Sequence, residues 1–367
     1  MRVLVVNAGS SSVKLRLLGD DDELLVDREL DAPESRVDPD ELDQALSDGM
    51  GDADAVGHRI VHGGERFVEA VRIDGEVTDA LRKLTDLAPL HQPKSLAALD
   101  AVSAALPDKP AVACFDTAFH STLTAGASTY ALPAEWRRRW GLRRYGFHGL
   151  SHAWIARRAP ALVGRAAAGL RVVSCHLGAG ASLCAILDGA SVDTTMGFTP
   201  LEGLVMATRS GSVDPGMLLW LLEREALSEA DLAEALEHRS GLLGLAGSAD
   251  MRVVRARADA GDEAAVLAFE VYLHRLKGAI GSMVAAVGGL DVLVFTGGVG
   301  EHDALIRART AAGLAFLGVT IATDANGGVA ADTDIEISGT DASVRTLVVH
   351  AREDLEISRQ VRGVLAS

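Results

Sequence analysis

Four short stretches of the chain set charged or ionisable side chains beside apolar strand-like runs, a placement that simple burial does not require. G-H-R-I-V-H-G-G at 57–64 puts Arg59 and Val61 on one face of a strand and His58, Ile60 and His62 on the other. A-C-F-D-T-A-F-H at 113–120 sets Asp116 just after a buried run, and T-R-S-G-S-V-D-P-G at 208–216 carries Arg209 in a turn. Y-G-F-H-G-L-S-H at 145–152 holds His148 and His152 four apart, but Gly149 stands where a metalloprotease zinc motif needs Glu. His58, His62, His120 and His152 read as structural hydrogen-bonding groups.

Glycine turns are the second chemical signal. The run N-A-G-S-S-S-V-K at 7–14 follows the strand-like Val3 to Val6, H-L-G-A-G at 176–180 follows Val172 to Cys175, and T-G-G-V-G-E-H at 296–302 follows Val292 to Phe295. Each could offer backbone N–H groups to an anion, and together they would suit the two halves of a nucleotide cleft. No G-x-x-x-x-G-K-[ST] or G-x-G-x-x-G is present, so neither a P-loop nor a dinucleotide fold is expected.

These turns must be held by regular elements. Around the first two turns the pattern is strand, glycine turn, strand, hairpin, strand, repeated about 170 residues apart, with Asp188-Gly189 as a type I′ hairpin signal. The third turn is expected to lead into a helix capped by Asp303. Val266, Phe269, Leu273, Leu276, Ile280, Met283 and Val287 form one apolar stripe of a long helix, read as core or subunit interface. Ser228 and Asp231 open another helix, with Gly241 as its expected stop. The acidic stretch 20–54 reads as a solvated excursion. Strands alternating with helices indicate an α/β chain.

Length and composition agree. The 367 residues suggest two domains, and 48% apolar with 23% charged residues are ordinary for a globular enzyme. A net charge of -16 disfavours nucleic acid and anionic membrane as partners. Three cysteines without C-x-x-C spacing suggest neither a disulfide framework nor a zinc knuckle. The apolar N-terminal run is too short for a signal peptide and no stretch reaches a membrane span, so a cytoplasmic location is expected.

The chain closely resembles the acetate and propionate kinase family, whose fold belongs to the actin and sugar-kinase superfamily. The resemblance rests on V-L-V-V-N-A-G-S-S-S-V-K at 3–14, G-H-R-I-V-H-G-G, L-A-P-L-H-Q-P at 87–93, F-D-T-A-F-H at 115–120 and Y-G-F-H-G-L-S-H. It continues through C-H-L-G-A-G-A-S at 175–182, D-T-T-M-G-F-T-P-L-E-G-L-V-M-A-T-R-S-G at 193–211, S-A-D-M-R at 248–252 and F-T-G-G-V-G-E-H at 295–302.

The resemblance implies a duplicated two-domain α/β fold of the actin and sugar-kinase (ribonuclease H-like) kind, with an interdomain active-site cleft. Domain I would comprise 1–120 plus 357–367, and domain II 121–356. It implies reversible transfer of the ATP γ-phosphoryl to acetate, giving acetyl phosphate and ADP, with Mg²⁺ as cofactor, Mn²⁺ able to replace it, and a homodimer. Propionate or butyrate kinase is the alternative; a non-catalytic actin-like switch or a sugar kinase fits less well.

Residue by residue, the resemblance makes Arg59, Asp116, His148 and Arg209 catalytic. Ser10, Ser12 and Lys14 would line the first phosphate turn, and His176, Gly178 and Gly180 the second. Asp250, Met251 and Arg252 with Gly297, Gly298, Val299 and Gly300 would hold the nucleotide. Val61, Leu90, Phe147 and Pro200 would enclose the acyl methyl, and Asn7 and Glu353 are matched to the metal. The chain departs from the family at Ala179, His302 and Arg352, where the family usually has Asn; loss of the Asn at Ala179 removes a potential donor to a phosphate oxygen.

Overall fold

The computed structural model describes residues 1–9, 12–32, 38–87, 92–224 and 227–366. The chain forms two compact units. Unit 1 is Met1–Ser121, Phe147–Trp154 and Arg352–Ser367, and unit 2 is Thr122–Gly146 and Ile155–Ala351. The segments 147–154 and 352–356 thus group with unit 1, whereas the expected boundaries ran at 120/121 and 356/357.

Unit 1 is built on a six-stranded sheet of β1 (Val3–Ala8), β2 (Ser12–Leu18), β3 (Leu24–Asp31), β4 (Ala55–Ile60), β5 (Val71–Arg72) and β6 (Ala111–Phe115), in the order β3-β2-β1-β4-β6-β5. β1, β4 and β6 are parallel and the outer strands antiparallel. Alternation along the strands divides the core. Leu4, Val6 and Val56 face the helices Pro39–Ser47 and Gln92–Ala105, while Val3, Val5 and Cys114 face Ile357 and Val361 of the helix Glu353–Ala366. The acidic stretch is not merely a solvated excursion: Leu30, Ala32, Leu42, Ala45 and Met50 are buried in this core, because its apolar residues recur at the spacing that buries one face.

Unit 2 repeats the plan. Its sheet consists of β7 (Arg171–Leu177), β8 (Ala181–Leu187), β9 (Ala190–Thr194), β10 (Val292–Thr296), β11 (Ile335–Glu336) and β12 (Arg345–Val348), in the order β11-β12-β10-β7-β8-β9. Read from the other edge this is the strand order of unit 1, with β7, β10 and β12 parallel. Asp188 and Gly189 both take positive φ, as a type I′ turn demands. The helix Glu263–Val287 starts at Asp262, whose side chain accepts from the Ala265 N–H, and ends on Gly288 in the left-handed conformation.

Three expectations need correction. Val266 is 41% exposed; Ala265 takes the inward position in the first turn, so the buried stripe starts one residue earlier. The helix opened by the Ser228 and Asp231 capping box ends at His238, and Gly241, with φ of 61°, opens the next helix, Gly241–Ala246. At 297–302 the chain is already helical rather than a turn, and the helix Ala304–Gly313 capped by Asp303 follows it.

No helix among the described residues is long and apolar enough to cross a membrane. Cys114, Cys175 and Cys184 are buried thiols outside any disulfide, and burial pushes their pKa values up, which makes them inert.

Burial pushes His58 and His62 of unit 1 down to about 4. Unfolded, each takes up a proton near pH 6.5 or so, whereas the folded ring stays neutral until about 4. Stability should therefore fall as pH drops through this window, on the order of 1.4 kcal/mol per pH unit per histidine. Denaturant midpoints at pH 7 and pH 5 measure it; equal midpoints would show that the folded rings already carry protons.

Candidate active site

Strand ends position the charged residues of unit 1. β4 and β6 run parallel with Arg59 paired to Cys114 and Ile60 to Phe115, so Asp116 lies one residue beyond the end of β6. The Arg59 guanidinium donates from Nε to both Asp116 oxygens at 3.1 Å and from Nη2 to Oδ2 at 2.6 Å. Its Nη1 donates to Asn7 Oδ1 at 3.0 Å, and Asn7 Nδ2 donates to Glu353 Oε2 at 3.3 Å. Glu353 Oε2 also lies 3.9 Å from Arg59 Nη1.

The Asp116 side chain is 2% exposed. Burial pushes its carboxyl upward against the pull of Arg59. Burial also works against the charge on Arg59, but Asp116 and Glu353 hold its pKa above the ordinary guanidinium value. Asp116 thus fixes the plane of a charged fork while the fork's outer edge reaches Asn7 and Glu353.

His148 belongs to the same unit and has φ of 55°, the left-handed region that a non-glycine residue enters at a cost. The next residue holds it there. Gly149 N–H donates to the Asp116 carbonyl at 2.8 Å, and a Cβ at Gly149 would collide with that oxygen. This bond, at the first residue of the helix Gly149–Val163, seats His148 against the Asp116 backbone.

Val61 and Phe147 are buried, and the Phe147 ring meets His62 edge to face at 5.6 Å. Ser12 and Lys14 of β2 both engage Glu29 on β3, Ser12 by a 2.5 Å hydrogen bond and Lys14 at 3.9 Å, while Asn7 pairs with Lys14 across β1 and β2. Ser10 and Leu90 lie outside the described residues.

Unit 2 gathers the other expected residues. The turn between β7 and β8 closes with Gly178 N–H donating to the Gly180 carbonyl at 3.0 Å, and His176, one residue before the end of β7, pairs with Thr296 of β10. Gly297 has φ of 77°, and a Cβ there would sit 2.8 Å from the Leu177 carbonyl oxygen. Only glycine lets the 297–302 helix start this close to the 178–180 turn.

Asp250 caps the helix Met251–Asp259, whose Arg255 reaches Asp303 at 2.9 Å, so 250–252 and 297–300 are tied into one region. Met251 is buried and Arg252 pairs with Asp250.

The loop carrying Arg209 is bound on two sides. Ala207 N–H donates to the Ala179 carbonyl at 3.0 Å, and Thr208 Oγ1 to the Glu237 carbonyl at 2.9 Å. The backbone of Ala179 makes this tie whatever its side chain. Arg209 Nη1 donates to the Pro200 carbonyl at 2.8 Å, and no carboxylate among the described residues forms an ion pair with it. Burial pulls its guanidinium below the ordinary value, with only Glu237 acting the other way. A half-buried cation without a counter-ion suits an incoming anion.

Arg307 was not singled out by sequence. It is 1% exposed and donates to the carbonyls of Gly300 and Glu301 and to Asn326 at 2.7–2.9 Å, clamping the end of the 297–302 helix. Glu301 supports the other end, accepting from the Gly297 and Ala351 N–H groups and bonding His350 at 2.7 Å. An arginine in an amphipathic helix looks like any surface arginine, so no sequence signal marks Arg307. His302 lies at the end of the helix that Arg307 clamps, and Arg352 pairs with buried Asp354 at 2.9 Å.

Among the described residues no three His, Cys, Asp or Glu side chains gather into a metal cage. Asn7 and Glu353 nonetheless fit Mg²⁺: Glu353 offers a carboxylate and Asn7 an amide oxygen that here accepts from Arg59, and two carboxylates facing one guanidinium leave the cluster with one excess negative charge. Mg²⁺ binds to such sparse protein ligands and completes its shell with water and phosphate.

The sequence model described as the acetokinase family matches residues 37–359. The acetate kinase of Acetivibrio thermocellus is 41% identical over an alignment of 393 positions covering 98% of each chain. That of Dictyoglomus thermophilum is 40% identical, covering 100% of this chain and 99% of its own. Among solved structures, Porphyromonas gingivalis acetate kinase superposes with a TM-score of 0.90 at 37% identity, covering 99% of both chains. A propionate kinase from Francisella tularensis does so with 0.90 at 33% identity over the same shares.

Proposed function

Because the chain belongs to the acetokinase family, we propose that it is a kinase transferring the γ-phosphoryl of ATP reversibly to acetate, with the residues above as its machinery. The observation that carries the residue assignment is the contrast between two arginines. Arg59 is fixed by Asp116, and Arg209 is half-buried with no carboxylate partner among the described residues.

Acetate, with a pKa near ~4, is ionised at neutral pH, so no general base is needed. A carboxylate oxygen attacks the γ-phosphorus, the bond to the β–γ bridging oxygen breaks, and ADP leaves with that electron pair. The obstacle is repulsion between anions. Arg59 and Arg209 offset it as charge spreads over the transferring oxygens, and His148 donates to one of them. Asp116 holds Arg59 rather than taking a proton. Asn7 and Glu353 would hold Mg²⁺, which when bound draws charge off the β- and γ-phosphates. Ser12, Lys14 and the 178–180 turn would receive phosphate, 250–252 and 297–300 the nucleoside, and Val61, Phe147 and Pro200 the acyl methyl.

A methylene changes discrimination by only about 1–3 kcal/mol, so propionate should also react. Acyl-hydroxamate formation from ATP, Mg²⁺ and hydroxylamine, with acetate, propionate and butyrate in parallel, tests the reading. Acetate should give the highest kcat/KM; a preference for propionate would favour the activity named for the Francisella relative.

His148→Gly, which accepts the left-handed backbone without strain, should keep the fold yet lose about 100-fold in kcat. Unchanged turnover in a folded variant would assign His148 no catalytic purpose.

The domain division of the family, a cytoplasmic location and a homodimer complete this reading. Met217 and Trp220, three apart on the helix Pro215–Arg224, are exposed, Trp220 by 52%, and offer an apolar face for a second copy. Light scattering should find a dimer that Trp220→Glu weakens; a wild-type monomer at micromolar concentration would remove this part of the reading.

A further inference from the structure

β4 presents its two faces to different chemistry. Arg59 points to Asp116 and Glu353, whereas the preceding residue, His58, lies on the opposite face with Val56 and Ile60. On that face unit 1 has a cavity of about 550 Å³, with Val56, Leu99 and Val102 among its apolar walls and Ser103 at its side. His58 lines it, is 1% exposed, and has no hydrogen-bond partner at either ring nitrogen among the described residues. Burial keeps the ring neutral at physiological pH. One N–H donor and one lone pair of this ring are thus left unmet in the wall of the cavity.

The fold does not require a histidine here. Counting back from the last pairs of the two leading hairpins, Ala8 with Val13 and Leu177 with Ala181, Val6 corresponds to Cys175. Their parallel neighbours are His58 in unit 1 and Phe295 in unit 2. Phe295 is fully buried. An apolar ring thus fills the equivalent position, with no buried polar group left unmet.

Charge at the cavity points to the occupant. Arg72, Lys109, Asp100 and Asp108 also line it. Asp100 is already held by Arg82 at 2.8 Å, which leaves Arg72 and Lys109 facing Asp108, an excess of one positive charge. We propose that this cavity is a second ligand site, taking a small organic carboxylate whose apolar body lies against Leu99 and Val102, whose anionic end faces Arg72 and Lys109, and which hydrogen-bonds His58.

Benzoate is a suitable probe, and binding rather than activity is the readout, so the outcome is independent of the catalytic assignment. Calorimetry should give a Kd on the order of 1 mM or tighter. Benzoate should move the His58 ring ¹⁵N resonances, saturating ADP should not displace it, and Arg209→Ala should leave its binding unchanged. Lys109→Glu, on the rim, should fold normally and weaken binding about tenfold, as loss of a charge-assisted contact requires. His58→Phe should abolish the ring response and weaken binding too. Absence of benzoate binding, its loss in Arg209→Ala, or binding indifferent to Lys109→Glu would each overturn the proposal.

Discussion

Arg209→Ala is expected to lower kcat for acetyl phosphate formation by about a thousandfold or more while leaving the affinity for ADP nearly unchanged. An arginine that meets charge developing in phosphoryl transfer is worth about 10³–10⁵ in rate, and Arg209 has the features of such a group. Its guanidinium is half-buried, held by one carbonyl, and opposed by no carboxylate in an ion pair among the described residues. The loop that carries it is fixed through Ala207, Thr208 and the Met206 N–H, so truncating the side chain leaves the backbone ties in place. Single-turnover kinetics with ADP binding measured in parallel checks this. Equal losses of nucleotide affinity and turnover would mean that Arg209 holds ADP rather than the group in flight.

Arg59→Ala should be costly in two separable ways. Removing the guanidinium strands the Asp116 carboxylate in the interior, and breaking a buried pair from one side costs about 3–5 kcal/mol of stability. Turnover should fall by at least about a hundredfold through loss of a preorganised donor. The double variant Arg59→Met with Asp116→Leu separates the two effects. It should recover most of the stability, because a packed apolar pair often replaces an ion pair without loss, and none of the activity. Thermal denaturation and the hydroxamate assay on the three proteins decide it. Activity regained with stability would reduce the pair to a structural strut.

Much of this arrangement could be read in the chain beforehand, for local reasons. Asp188-Gly189 announced its hairpin because few other dipeptides accept two positive φ values, and Ser228 with Asp231 announced a helix start because the capping box is a contact within one turn. The repeated strand and glycine pattern pointed to the two matching sheets. What escaped depends on partners distant in sequence. Nothing local to His148 signals a left-handed backbone; the residue after it, Gly149, is drawn against the Asp116 carbonyl 33 positions away by a hydrogen bond that leaves no room for a Cβ. Gly241 looks like a stop and acts as a start because it passes against the Met206 and Arg209 carbonyls. Arg307 is buried because carbonyls of an adjacent short helix and Asn326 receive it.

The matching strand order also fixes which positions descend from one ancestral site. If the halves arose by tandem duplication, the residue after His58 and the residue after Phe295 are siblings: Arg59 in one half, Thr296 in the other. One lineage elaborated a charged hook, while the other kept a compact hydroxyl beside the His176 strand end. Arg59 and Thr296 thus differ at one matched position, as His58 and Phe295 do at the position before it.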